Sequence, residues 1–300
     1  TCKLCLVVLG VGLLGQAASA QQRFADLVGP VSPQPVKKTA ELQVPFITWG
    51  GDVATFLANG GLTTEKGSIY DDLGLKLRLT NGDDFVGQVK DYVSGKTPFL
   101  RGTFRMLGQA SEVLGADPST KPVVIMQLTW SAGDHVVARA DLKTLNDLKS
   151  PGGKKRIACQ QGGPHVGLVD DMLGAAQLSW NDVEIVWVPD LTGDKGPAEL
   201  FRKDPTIDAC CVISPDMIGL TGGLDAKGSG AEGTVKGAHV LVSTAQMSRS
   251  IADVYACRKD WYDANRETAE KLAAGYLRAA QQLVPMRKGF EESGRLSPEY

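Results

Sequence analysis

The chain has few histidines, no excess charge of either sign and, beyond its first residues, no long apolar run. Each shortage removes a class of function. A formal net charge of −2 leaves no basic field for nucleic acid and no polybasic patch for anionic lipid. Three histidines, His135, His165 and His239, do not bracket Cys159, Cys210, Cys211 or Cys257 at zinc-ligand spacing, and none of these four cysteines forms a C-x-x-C pair. No metal and no cofactor is expected. There is no Gly-x-Ser-x-Gly elbow, no paired His-x-x-x-His and no P-loop, and the glycine pairs lack the later acid of a dinucleotide fingerprint. The chain does not read as an enzyme.

What is present suits a globular protein, with 43% hydrophobic and 22% charged residues. Its 35 glycines are scattered, which fits tight turns between short elements. The length allows one large domain or two lobes. At the start, Lys3 precedes the apolar segment Leu4 to Leu14, and Ala18-Ser19-Ala20 forms a small-x-small cleavage site before Gln21. That order predicts a signal peptide over 1–20 and an exported, periplasmic chain with no stable membrane insertion after cleavage. Thr1 stands where an initiating Met would be, and no turn or cap follows the last helix, so a longer natural chain is expected at both ends. Cys159, Cys210, Cys211 and Cys257 lie in apolar, strand-like stretches and read as small core residues. A disulfide from Cys159 to Cys210 or Cys211 stays open in an oxidising compartment.

Residues 21–40 carry Pro30, Pro33 and Pro35 and read as an extended linker. Strands and helices alternate from there on. Strands are expected at Leu42 to Ile47, Leu75 to Leu79 (a half-exposed edge), Val123 to Leu128 (buried), Val136 to Ala138, Arg156 to Cys159, Val183 to Val188, Ile207 to Ile213, His239 to Ser243 and Asp253 to Cys257. Helices are expected from Val53 to Asn59, after Asp83-Asp84 with the apolar face Phe85, Val86, Val89, Tyr92 and Val93, from Leu142 to Leu148, from Asp170 to Ala176, and briefly before Leu200-Phe201. A long terminal helix would bury Ala269, Leu272, Ala273, Tyr276, Ala280, Leu283 and Val284. This alternation predicts an α/β fold of mostly parallel sheets flanked by helices. The pattern restarts near Leu128, which predicts two lobes: 41–130 with 246–300, and 131–245. The chain then crosses twice, near Thr129–Gly133 and Ser243–Ser248, and a double crossover makes a hinge.

Two strand-to-helix turns carry the candidate site, because backbone N–H groups at such turns face a ligand at the carboxyl end of a sheet. In the first lobe Thr48, Trp49, Gly50, Gly51 and Asp52 would line the cleft, the glycines allowing close approach and Trp49 offering a stacking face. The competing reading makes Asp52 an N-cap and Trp49 a core anchor. Arg101 would fork onto a sulfonate, carboxylate or phosphate, with Gly102 and Thr103 donating beside it. The alternative is a solvated surface arginine. In the second lobe Gln161, Gly163, Pro164, His165 and Val166 open a helix toward an anion. His165 either donates to the ligand or caps the helix in solvent. Ser214 and Asp216 follow a strand, as partners for an amine or as a Ser-Pro turn that caps a helix.

Taken in order, the exported N-terminus, the Trp49-Gly50-Gly51-Asp52 turn, the loop Pro98 to Thr103, and Asp141 to Lys149 followed by Lys154-Lys155-Arg156-Ile157-Ala158 resemble the periplasmic solute-binding proteins of ABC importers. The nearest branch is the nitrate/sulfonate/taurine and thiamine-precursor-like one, over roughly residues 40–290. The resemblance implies the two-lobed type II fold and capture of a small, anionic or amphoteric solute for an ABC transporter permease. Two other readings stand beside it. One is an exported sensor or cell-wall-linked module continuing past Tyr300 into a peptidoglycan-binding, OmpA-like domain. The other is the thiamine-pyrimidine synthase branch of the fold, of whose cysteine-rich metal segment only Cys210-Cys211 remains.

Overall fold

The computed structural model describes residues 22–149, 152–247 and 249–295. The expected signal peptide lies outside the described residues. Strands β1 (Leu42–Phe46), β2 (Leu77–Asn81), β3 (Phe99–Thr103), β4 (Pro122–Trp130) and β10 (Ala252–Arg258) build lobe 1, while β5 (Asp134–Ala138), β6 (Lys155–Gln160), β7 (Val183–Val188), β8 (Ala209–Ile213) and β9 (His239–Ser243) build lobe 2. The lobe 2 sheet has the order β7-β6-β8-β5-β9. Lobe 1 has a β1-β2 pair and a β3-β10-β4 sheet, with β1 lying beside β3. Both lobes therefore follow one plan: second strand, first, third, the strand arriving from the other lobe, and fourth. The arriving strands, β5 and β10, are antiparallel to both neighbours. The pairs β1–β2, β6–β7 and β6–β8 are parallel.

The sequence explains where each strand sits. The continuous apolar run of β8 is buried at every position, as a strand with neighbours on both sides requires. Strand β2 alternates buried and exposed positions as an edge strand does. Strand β4 departs from its expected burial. It pairs only with β10, through two register shifts, and exposes every third residue, including Val124 and Trp130. Its apolar run answers to a sheet edge rather than to a centre.

The helix Lys259–Ser293 closes lobe 1 by burying Trp261, Ala269, Leu272, Tyr276 and Ala279. Gly275 sits among them because the Tyr70 ring occupies the space of a side chain there. The apolar stripe stops earlier than expected: Val284 is exposed, one residue before Pro285, where the helix has passed the core. Between β5 and β6 the expected helix is only a 3-10 turn, Leu145–Leu148. One oxygen of Asp147 accepts from the N–H groups of Lys143 and Thr144, which locks the turn and prevents an earlier helical start. The segment expected as a linker contains a helix, Phe24–Val28, and lies against lobe 1 with Phe24 and Val28 buried. Its extended part is pinned by Gln34 N–H to Val93 O (3.1 Å) and Lys37 N–H to Gly95 O (2.9 Å). All four cysteines among the described residues are buried free thiols.

Candidate functional site

Lobe 1 brings its first three strand ends together. Thr48 is exposed, and its N–H and hydroxyl both donate to Asp83, at 2.7 Å each, so the loops after β1 and β2 are clasped. Asp83, held in turn by Asn81 (2.8 Å), joins the candidate site, although the sequence reading assigned it only to helix capping. Trp49 is half-buried and exposed Gly50 follows it. Buried Gly51 gives its carbonyl to Tyr276 (3.0 Å), and a side chain there would meet Thr129.

Asp52 stands at the N-cap position of the helix Val53–Asn59, but its buried side chain makes no capping bond and lines no cleft. Its carboxylate is 1% exposed and accepts from Arg101 Nε (2.9 and 3.0 Å) and from Tyr255 Oη (3.2 Å). Arg101 is fully buried, with Nη1 donating to Asp253 (2.9 Å) and to the Gly102 carbonyl (3.0 Å). Thr129 in turn donates to Asp253 (2.8 Å). Both expectations for Arg101, a fork on a ligand and a solvated surface residue, give way to a buried guanidinium shared by two carboxylates. The physical reason is its place on β3, which is buried at every position. Burial raises the Asp52 and Asp253 carboxyls above the usual range, and the Arg101 charge opposes it. Gly102 is buried under Phe85, and the Thr103 hydroxyl is spent as the N-cap of the helix Phe104–Gln109, accepting from Met106 N–H (3.2 Å).

In lobe 2 the loop after β6 leads into the helix His165–Ala175, earlier than the start expected at Asp170. Gln161 donates its N–H to Val188 O (3.0 Å), Gly163 is buried with its carbonyl facing Gln109 of lobe 1 (3.4 Å), and Pro164 is half-buried at the N-cap position. Val166 is buried and lines a 610 Å³ groove between the lobes with Phe104, Leu107, Val124 and Trp180. His165 corrects both of its expected roles. Its ring is fully buried and its Nε2 meets Asp134 Oδ1 at 2.8 Å. Burial acts to raise the Asp134 carboxyl, but the His165 bond and charge, with Ser131 and His135, outweigh burial and hold it below the usual range. Asp216 is half-buried, with its carboxyl raised by burial.

Trp49, Ser214 and the three-residue link Ser131–Gly133 meet at the lobe junction. A side chain at Gly133 would collide with the Trp49 ring and Ser214 Oγ, so only glycine admits that approach. Ser214 also lies 3.0 Å from His135 Nε2, a pairing with no sequence signal because 79 positions separate them. The Ser214 hydroxyl also lies 3.2 Å from the Gly133 carbonyl, so the imidazole and that carbonyl meet the same hydroxyl across the lobe junction.

No family model and no curated protein matches the chain. Solved structures do. A putative sulfonate-binding protein of an ABC transporter from Methylobacillus flagellatus superposes with a TM-score of 0.58 at 15% identity, covering 88% of this chain and 76% of that one. The periplasmic aliphatic sulphonate-binding protein of Escherichia coli gives 0.58 at 15% identity, covering 87% and 81%. The periplasmic nitrate-binding protein of Synechocystis gives 0.58 at 17% identity, over 83% of this chain and 62% of that one. The chain has the two-lobed periplasmic-binding-protein fold. The matched structures include the sulfonate and nitrate binders whose branch the sequence motifs resemble. Among the described residues no helix is long and apolar enough to cross a membrane.

Proposed function

We propose that this protein is an exported solute-binding protein that captures a small molecule between its lobes and presents it to an ABC-importer permease. The observation that carries this reading is the repeated strand plan, which sets the loops after β1, β2 and β3 against those after β6 and β8 at the junction of two connecting segments. Structural neighbours built this way are described as binding proteins.

The solute we favour is anionic or amphoteric, although Arg101 no longer supports that choice. The remaining support is the helix His165–Ala175, whose N-terminus faces the junction, together with the amides of Gln109 and Gln161. Trp49, half-buried against Gly133, offers a flat face, and Asp83 offers an exposed carboxylate for an amine. A sulfonate or carboxylate with a polar or cationic remainder fits both halves. Thermal-shift measurements with taurine, longer alkanesulfonates, nitrate and thiamine test this choice. Stabilisation by taurine or an alkanesulfonate, with compaction in small-angle scattering, is expected. A shift given by thiamine alone overturns the charge assignment, and compaction by none of them overturns the capture of these solutes.

A further inference from the structure

We propose that the N-terminal helix Phe24–Val28 is a clasp that bridges the two lobes and covers the lobe 2 loop Gln160–His165. Phe24, Leu27 and Val28 share one helical face. Phe24 and Val28 are buried in lobe 1, where the Phe24 ring packs at 5.8 Å, tilted, on Phe85. The other side of the same face reaches lobe 2. A side chain built at Gly162 would lie 3.2 Å from the Phe24 ring and 3.8 Å from Leu27, and Gly162 holds a left-handed φ of +68°. The backbone favours glycine there, and the ring above it leaves little room for a side chain. Behind the clasp lies a 240 Å³ cavity lined by residues of all three parts: Arg23, Phe24 and Leu27 of the clasp, Gln109 of lobe 1, and Gln161 and Trp187 of lobe 2.

The clasp is firmly rooted and weakly tipped. Its root is held by the buried Arg258 guanidinium, which donates to Gln34 O at 2.7 Å. Gly29, at φ +67°, ends the helix and turns the chain toward that root. Five residues are too few for a helix to stand alone in water, so its order comes from the two surfaces it touches. The ion pair Arg23–Glu112 at its start is exposed on both sides and adds little. Such an element stays tethered to lobe 1 when it lets go of lobe 2. If the solute-binding reading holds, a solute reaching the Gln161 loop has to release it. The contact itself is testable without any solute.

A thiol introduced by Gln161→Cys reports the cover directly, because the four native cysteines among the described residues are buried. Alkylation by iodoacetamide at position 161, read by peptide mass spectrometry, is compared in the otherwise unchanged chain and with Phe24→Ala plus Leu27→Ala. The double substitution should speed labelling by about tenfold, as local opening controls such rates. Leu27→Ala alone, which spares both buried anchors, should give part of the same increase and covers the case in which Phe24→Ala disturbs lobe 1. Equal rates with and without the clasp residues overturn the proposal. So does a rate in the parent equal to that of a free cysteine peptide.

Discussion

Lobe 1 hides a guanidinium and two carboxylates beneath its crevice loops, whereas lobe 2 hides an imidazole and one carboxylate. Both clusters tie a crevice loop to an arriving strand: Arg101 joins Asp52 to Asp253 near the start of β10, and His165 joins its helix to Asp134 at the start of β5. The two solutions differ in charge count. In lobe 1 one cation is shared by two carboxylates, while in lobe 2 a ring nitrogen meets a single carboxylate.

The largest test removes the shared cation. Arg101→Met leaves two buried carboxylates without their cation and should lower unfolding free energy by about 3–5 kcal/mol, read from urea midpoints. Adding Asp52→Asn and Asp253→Asn should recover much of that loss. Failure to recover would mean that Arg101 matters through packing rather than charge.

A second test concerns the lobe 2 cluster. His165→Gln should cost about 2 kcal/mol by removing the ring-nitrogen bond that Asp134 has in the parent. The two lobes should also respond to acid with opposite sign. Asp134 has a folded value below the ordinary 3.8, so its stabilisation is complete above 3.8 and disappears as pH falls through the folded value. Asp52 and Asp253 have folded values above 3.8, so their contribution is most favourable in acid and is lost as pH rises through those values. Stability curves of Asp134→Asn should therefore lose part of the acid limb, and those of Asp52→Asn should not. Identical limbs in the two variants would erase the distinction between the lobes.

At the junction, Trp49→Ala should weaken binding of whichever alkanesulfonate gives the largest thermal shift by roughly tenfold to a hundredfold in calorimetry, the equivalent of about 1–3 kcal/mol. Unchanged affinity would remove the β1 loop from the site. The smallest effect is expected at the cysteines. Cys159, Cys210, Cys211 and Cys257 are all buried, and burial also pushes the Cys257 thiol up to about 12 and raises Cys210 further, so native protein at pH 8 should leave the four unlabelled by iodoacetamide.

Elements with strong local patterns were legible in the sequence. Strands at Val183–Val188 and His239–Ser243, the helix Val53–Asn59 and the two crevice loops follow directly from apolar runs and turn residues. What was not legible depends on partners far away in the chain. Nothing local reveals that Arg101 faces Asp52 and Asp253, that His165 faces Asp134, or that β4 has one neighbour rather than two. The helix Phe24–Val28 lies in a segment read as an extended linker, because one turn of helix leaves little signal without the surfaces that receive it.

The plan of the lobe 1 sheet also sets an order of events. Strand β10 lies in the middle of that sheet and is the last strand among the described residues, and the bond from Arg101 to Asp253 closes a loop of 152 positions. Lobe 2 finds all five of its strands between Asp134 and Ser243. On synthesis or refolding it can complete its sheet while β3 and β4 still lack the strand that separates them. Distant pairing of this kind slows a folding reaction and leaves sheet edges open in the interval. Truncation before Ala252 should therefore yield chains with a formed lobe 2 and a sticky, incomplete lobe 1.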